Sequence, residues 1–558
     1  MKDRRAEESE STAGLSRRRF VAGAAQGAAS LALAGEVGRR LLDAGPARAA
    51  ATGGTLVATT QADIGDFDPA VSYAWANYNL LHCVFNGLLG YKPGTLALTP
   101  DLAAGMPKTS ADGLVWTFTL RRGVRFHSPV NREVQASDFK YSWERVLNPK
   151  TASPGVTFLL HIEGAAEYNA GKAKDVSGIK VLGPYTLQVR LVKPYVPFRY
   201  VCAMTFAYVV PHEIADKYPK DFSHHAVGTG PFMVQEWTPG QKFVLARNPH
   251  YYQPGIPYLD QVVFNIGVQP NVAILQVERG EADVATDGLT GLNYTTVSSN
   301  PRWKDRVFKV PSVSTAYMWM DTLVLPFTNR KVRQAIAMSI DKQRIIQVNA
   351  GGLGKPTGGI LPPLMPGYDA KLHTWPYDPA RAKQLLAQAG YPHGFKTTIL
   401  ANGSSVSQAV VEQVIQHDLA QIGVAAEIKV AIGSTYTTLI SQPKAVAIGD
   451  TSWTLDFPDP SDFIDPILTS TAAVQGGSNF AFYRNPTVDS LAAQANQTLD
   501  PTARYALYHH LEQIIINDAP WVPLYTPEQA TLVSPRVTTF YMSPLWYEFD
   551  FAYYKVSG

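Results

Sequence analysis

The sequence predicts a mixed α/β protein of about three domains, on three observations. The chain has 558 residues, 46% hydrophobic and 17% charged, a globular composition with length enough for roughly three domains. Up to about residue 314 it reads as strands and turns with period-two alternation, and beyond that point helical and strand periods alternate. No internal repeat, low-complexity linker or charge block separates the two textures, so short crossings join the domains.

The N-terminus reads as an export signal. Ser16-Arg17-Arg18-Arg19-Phe20 precedes Val21–Gly35, 15 uncharged residues that are mostly small or apolar. A basic start, a short apolar run and the site Ala47-Arg48-Ala49 compose a signal over residues 1–49. The run falls short of the roughly 20 apolar residues that a spanning helix requires. An arginine pair followed by Phe20 resembles a twin-arginine signal, which exports folded protein. Glu36, Arg39 and Arg40 leave the cleavage point open. The expected location is periplasmic or otherwise extracytoplasmic, at the cell envelope.

Nine of the 49 basic and six of the 46 acidic residues fall in that segment, which leaves 40 of each. A formally neutral remainder has no basic stripe to grip phosphates, which argues against nucleic acid as a partner. Cys83 and Cys202 are too few for a disulfide framework or a zinc ladder. They read as small buried hydrophobes, with their pairing left open.

In the first half, VWTFTLRRGVRF sets Trp116, Phe118 and Leu120 on one face of a strand, and YTLQVRL and KFVLARN repeat the alternation. SDFKYSWERVL predicts a short helix with Ser137 as its N-cap. In the second half, NRKVRQAIAMSIDKQRII places Val332, Ile336 and Ile340 on one helical face. DPARAKQLLAQAG carries Asp378 as cap, Pro379 in the first turn and Gly390 beyond the end. SQAVVEQVIQHDLAQIG ends on Gly423 before the strand VAAEIKV, and a last helix starts at Asp500-Pro501. SWTLDFPDPSDF, Ser452 to Phe463, interleaves Asp456, Asp459 and Asp462 with Trp453, Phe457 and Phe463, and its two prolines exclude helix. A carboxylate held between aromatic rings suits either a tuned acid or base, as in a glycosidase, or a fixed receiver for a ligand's cation.

Motifs for chemistry are missing. No Gly-x-Ser-x-Gly elbow is present, and His212-Glu213 is followed by Ile-Ala-Asp where a second His would complete a zinc motif. GGLGKPTGG, Gly351 to Gly359, has Pro356 where a phosphate loop needs Ser or Thr, and reads as a turn in a long connection. His509 and His510 are adjacent and so face different sides of a helix, a poor metal site. No cofactor and no metal is expected. A secreted carbohydrate-active hydrolase stays open, because its two carboxylates need no local motif.

Read in order, FDPAVSYAWANYNLLHCVFNGLLGY, PDLAAGMPKTSADGLVWTFTLRRGVRFH, ASDFKYSWERVLNPKTASP, VGTGPFMVQEWTPGQKFVLARNPHYY, LPFTNRKVRQAIAMSIDK, YDPARAKQLLAQAGY and SWTLDFPDPSDF resemble the peptide/nickel-binding family of extracytoplasmic receptors for ABC importers. ERVLNPKTASP and TARYALYHHLEQIIINDAPWVPLY are similar to its oligopeptide-binding branch. The resemblance spans Phe67 to the C-terminus. It implies a two-lobed clamp of three domains, periplasmic-binding-protein-like. Residues 50–85, 209–313 and 527–558 would form a first lobe, 86–208 an inserted β-rich domain, and 314–526 the second lobe. It further implies a monomeric, non-catalytic receptor that closes about its hinge on a small ligand, most simply an oligopeptide, and delivers it to the membrane permease subunits. Sugars, opines, nickel chelates and haem are carried by other members, so an oligosaccharide or another solute stays an alternative ligand.

The resemblance also implies a site. Asp456 matches the Asp that receives a peptide's α-ammonium, with Ser452 in place of the glycine of a Gly-Trp pair, and Trp453 and Thr454 beside it. Trp453 would wall the site and keep out screening water. Tyr73, Ala74 and Trp75 match the segment the first lobe contributes, and Tyr317 a cleft position on STAYMWMD. Peptide backbone would be read as an added strand. The residue-level alternatives are an Asp456 that caps the turn before Phe457-Pro458 and a Trp75 in ordinary core. Asp459 and Asp462 read as turn and cap residues. Two departures stand out. Asp450 occupies the place of an Arg that meets a peptide carboxylate, and Asp321 stands where the family usually has Asn.

Overall fold

The computed structural model describes residues 53–403, 409–545 and 548–557, without the side chains of Trp75, Ala76 and Leu292. The expected export signal, residues 1–49, lies outside the described residues. The chain forms two compact units. Pro311–Glu528 make one, and the described residues up to Val310 with those from Gln529 onward make the other.

The unit that contains the N-terminal half holds a five-stranded sheet in the order Val284–Ala285, Thr55–Thr60, Gln261–Ile266, Lys242–Arg247, Phe232–Thr238. Thr55–Thr60 runs parallel to both neighbours, and the remaining pairs are antiparallel. A second, antiparallel sheet orders Lys108–Thr109, Val115–Thr119, Thr186–Arg190 and Ile179–Gly183. Trp116, Phe118, Leu187 and Val189 supply its buried face, as the alternation predicts. The helix Ala136–Leu147 packs on it. Its N-cap is Gln135, not Ser137. Gln135 and Asp138 cap each other reciprocally, and the Asp138 carboxylate accepts the Gln135 N–H at 2.8 Å. A hydroxyl two residues inside the helix cannot compete with that pair. Cys83 and Cys202 are free and buried, and burial raises both thiols.

Pro311–Glu528 is built on a sheet whose strands follow the order Trp521–Leu532, Ser314–Met320, Ile448–Thr454, Lys396–Asn402, Ala425–Ala431, with Gly354–Pro356 added on Trp521–Leu532. Ser314–Met320 is buried at every position, the mark of a strand covered on both faces. Its Ala316, Met318 and Met320 join the core with Val332, Ile336, Ile399 and Leu419, while Tyr317 and Trp319 point to the opposite face by the pleat. Trp319 lies over Gly449 of the neighbouring strand, where a Cβ would come within 2.5 Å of the ring.

The segment NRKVRQAIAMSIDKQRII forms two helices, Arg330–Ser339 and Lys342–Ala350. Asp341 breaks the run because its carboxylate accepts the Arg344 N–H at 3.0 Å and so caps the second helix. Pro379–Gln388 begins on Asp378 and Pro501–Asp518 on Asp500, each a side-chain cap. Gly351 ends a helix in the left-handed region, and Gly354–Pro356 is a short strand within the glycine-rich stretch read as a turn.

Glu512 ties the last long helix to that stretch. One carboxylate oxygen accepts the N–H groups of Ile360 (2.9 Å) and Leu361 (3.0 Å), and Thr315 donates to the Ile360 carbonyl at 2.8 Å. Burial pushes Glu512 up to about 7. An acid whose folded pKa is raised stabilises the fold fully below its unfolded value and loses that contribution as pH rises through the folded one. The unfolding free energy of wild type from urea titrations should therefore fall between about pH 4.5 and 7, by up to about 3 kcal/mol from this group. In Glu512→Gln that share of the fall should vanish, and an identical pH profile in the variant would contradict the assignment.

Candidate functional site

The candidate site grows from the end of Ile448–Thr454. Trp453 stands opposite Thr315 and Thr454 opposite Ser314, with the Thr454 hydroxyl 3.1 Å from the Ser314 hydroxyl. The Leu455 N–H donates to the Val313 carbonyl at 3.1 Å, so the chain stays sheet-bound almost to Asp456. Pro458 and Pro460, which lack N–H donors, end the strand. They do not exclude helix from the whole stretch. Ser461–Leu468 is helical, starts directly after Pro460 and contains Pro466.

That helix start organises what precedes it. Asp462, in its first turn, accepts the Asp456 N–H at 2.8 Å and the Trp453 indole N–H at 3.4 Å. One carboxylate thus orients both the candidate receiver and its candidate wall. Asp459 accepts the Ser461 N–H at 3.0 Å and hydroxyl at 2.8 Å. It also receives two guanidinium bonds from Arg504, both 2.7 Å, with both side chains almost wholly buried. Arg504 further donates to the Ala495 carbonyl at 2.9 Å, so the pair is satisfied as a buried ion pair must be. Asp459 caps the turn before the helix, as the sequence suggests, and does more, whereas Asp462 caps no helix, since its partners lie upstream. Asp459 is an anchor and Asp462 a positioning group, roles with no local signal beyond a carboxylate in a first helical turn.

Asp456 is 6% exposed, flanked by the buried Leu455 and Phe457 and near the buried Trp453. Tyr317 is fully buried and stacked on Trp521, ring centroids 3.3 Å apart at 10°. Its hydroxyl has no hydrogen-bond partner, and burial raises the phenol well above its ordinary value. It pairs across with Thr451, two residues before Trp453. Within Pro311–Glu528 the structure therefore gathers Tyr317, Trp453, Thr454 and Asp456 along two paired strands.

Tyr73 and Trp75 belong to the other unit. Tyr73 is half-buried, its ring 5.5 Å from Phe206 and 6.4 Å from Tyr78. Its loop is held by Asp68, which accepts the Ala70 N–H at 3.0 Å and pairs with Arg145 at 2.7 Å. Trp75 starts the helix Trp75–Val84, and its side chain lies outside the described residues. Neither joins the Asp456 group within one unit.

Comparison with known proteins gives a consistent picture. The model of the bacterial extracellular solute-binding proteins, family 5 Middle, matches residues 97–475. The di/tripeptide-binding protein 2 of Pseudomonas aeruginosa is 30% identical over 510 residues, 88% of this chain and 93% of that protein. Heme-binding protein A of Haemophilus influenzae is 29% identical over 515 residues, 89% of this chain and 91% of that protein. The solved periplasmic binding protein DppA of Helicobacter pylori, in complex with the peptide STSA, superposes with a TM-score of 0.74 at 27% identity. It covers 91% of this chain and 99% of its own.

The anchor is testable by itself. Arg504→Met strands the Asp459 carboxylate in a dry interior and should cost about 3–5 kcal/mol. Adding Asp459→Leu should recover a large part of that loss, since the stranded charge is removed with its partner. Denaturant unfolding of the two variants and of wild type checks this. A double variant as unstable as the single one would mean that the pair's geometry, and not its charge balance, carries the stability.

Proposed function

The chain belongs to the bacterial extracellular solute-binding proteins, family 5, and from that premise we propose that it captures a short peptide outside the cytoplasm and hands it to an ABC importer. The observation that carries the peptide reading is Asp456, a carboxylate withdrawn from water beside Trp453 and oriented through its backbone by Asp462. Such a group receives an ammonium with little reorganisation. The named ligands of the Pseudomonas aeruginosa relative and the Helicobacter pylori structure support the same class. Trp453, Thr454 and Tyr317 line the site in this reading, with Tyr73 and Trp75 contributed by the other unit. The division into first lobe, inserted domain 86–208 and second lobe 314–526 belongs to the same proposal.

The protein acts here as a monomeric receptor and not as an enzyme, without nucleic acid. The hydrolase alternative gains no support, because the relatives above are named for what they bind. Haem is the rival ligand, on the strength of the Haemophilus influenzae relative. Mass spectrometry of the ligand released by denaturing purified protein separates the two. Peptide masses support the proposal, and haem or oligosaccharide in their place would replace it.

Asp456→Asn keeps the shape and removes the charge. A hydrogen bond to a charged group contributes about 1.5–3 kcal/mol, so affinity for a peptide with a free amino terminus should fall about tenfold or more. N-acetylating the peptide should weaken binding to wild type and change little in the variant. Calorimetry over the four combinations decides, and equal affinities of wild type for free and acetylated peptide would remove Asp456 from this role.

We also propose export by the twin-arginine route. Arg17→Lys with Arg18→Lys should leave uncleaved precursor in the cytoplasm, detected by fractionation. Normal export of that variant would point to the general secretory route.

A further inference from the structure

The sheet of Pro311–Glu528 ends on the strand Ala425–Ala431, which pairs in parallel with Lys396–Asn402. Among the described residues, no strand pairs with its other edge. The Ala425 N–H donates to the Phe395 carbonyl at 2.8 Å, and the Ala431 carbonyl accepts the Gly403 N–H at 2.9 Å. Backbone groups alternate in direction along a strand, so the odd positions turn theirs inward. Ala426, Ile428 and Val430 therefore turn their N–H and C=O groups to the open edge. The Ala426 carbonyl accepts the Gln416 amide at 2.7 Å and keeps a second lone pair.

The side chains sort by the pleat. Ile428 stands level with Ile399 and Ile448, and Ala426 packs on the core that holds those two. Ala426, Ile428 and Val430 thus share the core face. Val430, and Ile432 just beyond the strand, are still 62% and 65% exposed, so apolar side chains stay open to water at this end of the edge. Glu427 and Lys429 stand on the other face, 3.9 Å apart and each more than half exposed. Charges on an edge strand ordinarily keep copies apart, and an edge of one sign does so. This edge carries one acid and one base two residues apart, a pattern that an antiparallel copy can match.

We propose that this edge pairs with the same edge of a second copy, antiparallel about a two-fold axis through Ile428. In that register Glu427 of each copy stands opposite Lys429 of the other, Ala426 opposite Val430, and Ile428 opposite itself. The outward groups of Ile428 exchange both hydrogen bonds, as do those of Ala426 with Val430. Glu427 and Lys429 then fall at the closer, non-hydrogen-bonded positions, where cross-strand side chains meet. Registers centred on Glu427 or on Lys429 set like charges face to face and are disfavoured. Ala426 and Ile428 of one copy cover the exposed Val430 of the other. A two-fold contact is self-complementary and stops at two copies. Lys396–Asn402 separates this edge from Ile448–Thr454, so each chain keeps its own candidate site and captures ligand singly. The pairing joins two complete receptors as concentration rises, whatever the ligand.

Sedimentation equilibrium of the purified chain over a wide concentration range reads the test. Wild type should pass from the mass of one chain to that of two. Lys429→Glu leaves two acids on each edge and Glu427→Lys two bases, so each alone should weaken pairing about tenfold or more. An equimolar mixture of the two variants restores both opposite-charge pairs and should pair as wild type does. A chain carrying both substitutions should pair likewise, and it shows that neither change acts through folding. The mass of one chain at every concentration would overturn the proposal. Pairing that survives unchanged in both single variants would overturn it too, as would a mixture that stays unpaired where wild type pairs.

Discussion

The candidate site depends on one buried ion pair, Asp459 with Arg504. A chain that leaves the sheet at Thr454 must turn through Phe457-Pro458-Asp459-Pro460 and enter a helix within a few residues. Nothing in that turn is a regular ladder, and two of its residues have no N–H to give. The turn holds its course because Asp459 is clamped by a guanidinium from the helix Pro501–Asp518, while Asp459 itself caps Ser461. Once the helix start is fixed, Asp462 is fixed, and with it the backbone of Asp456 and the ring of Trp453. Orientation thus passes from a long helix to the candidate site through two carboxylates, Asp459 and Asp462.

The same unit handles its other buried acids differently. Asp459 meets a full positive charge and its bonds are complete. Glu512 meets only backbone N–H groups and rises to about 7, with burial as the cause. Asp465 also rises to about 7 by burial, although Asn496 donates to it at 2.6 Å. A dry interior tolerates an acid when a cation faces it, and otherwise keeps a proton on it. Burial likewise raises Asp450 and Glu412.

Local features of the sequence translate well into structure where the interaction itself is local. Asp378 and Asp500 cap their helices, and the Trp116–Phe118 alternation is a strand, because each rests on neighbours within a few residues. Where two local partners compete the reading fails. Gln135 with Asp138 displaces Ser137, and Asp341 divides what looks like one helix. Contacts distant in sequence leave no trace in a single chain. Asp459 and Arg504 are 45 residues apart, and no spacing rule selects that arginine. The roles given to Asp456, Trp453 and Tyr317 came from family resemblance, and composition alone left a catalytic acid equally open. What the resemblance did not contain is Asp462 as the orienting group.

Family membership constrains the fold more tightly than the ligand, and the charges explain why. A receiver such as Asp456 asks only for an ammonium, which every peptide with a free amino terminus carries. Discrimination must come from groups farther along the strand, and there this chain places acid where its resemblance implies a base. Asp450 offers a ligand carboxylate no positive partner, and an unpaired carboxylate is costly where water is excluded. The route by which an arginine would hold a ligand's carboxyl end is therefore missing at this position. The sign of charge at one strand position thus departs from the pattern that the resemblance implies, while the fold does not.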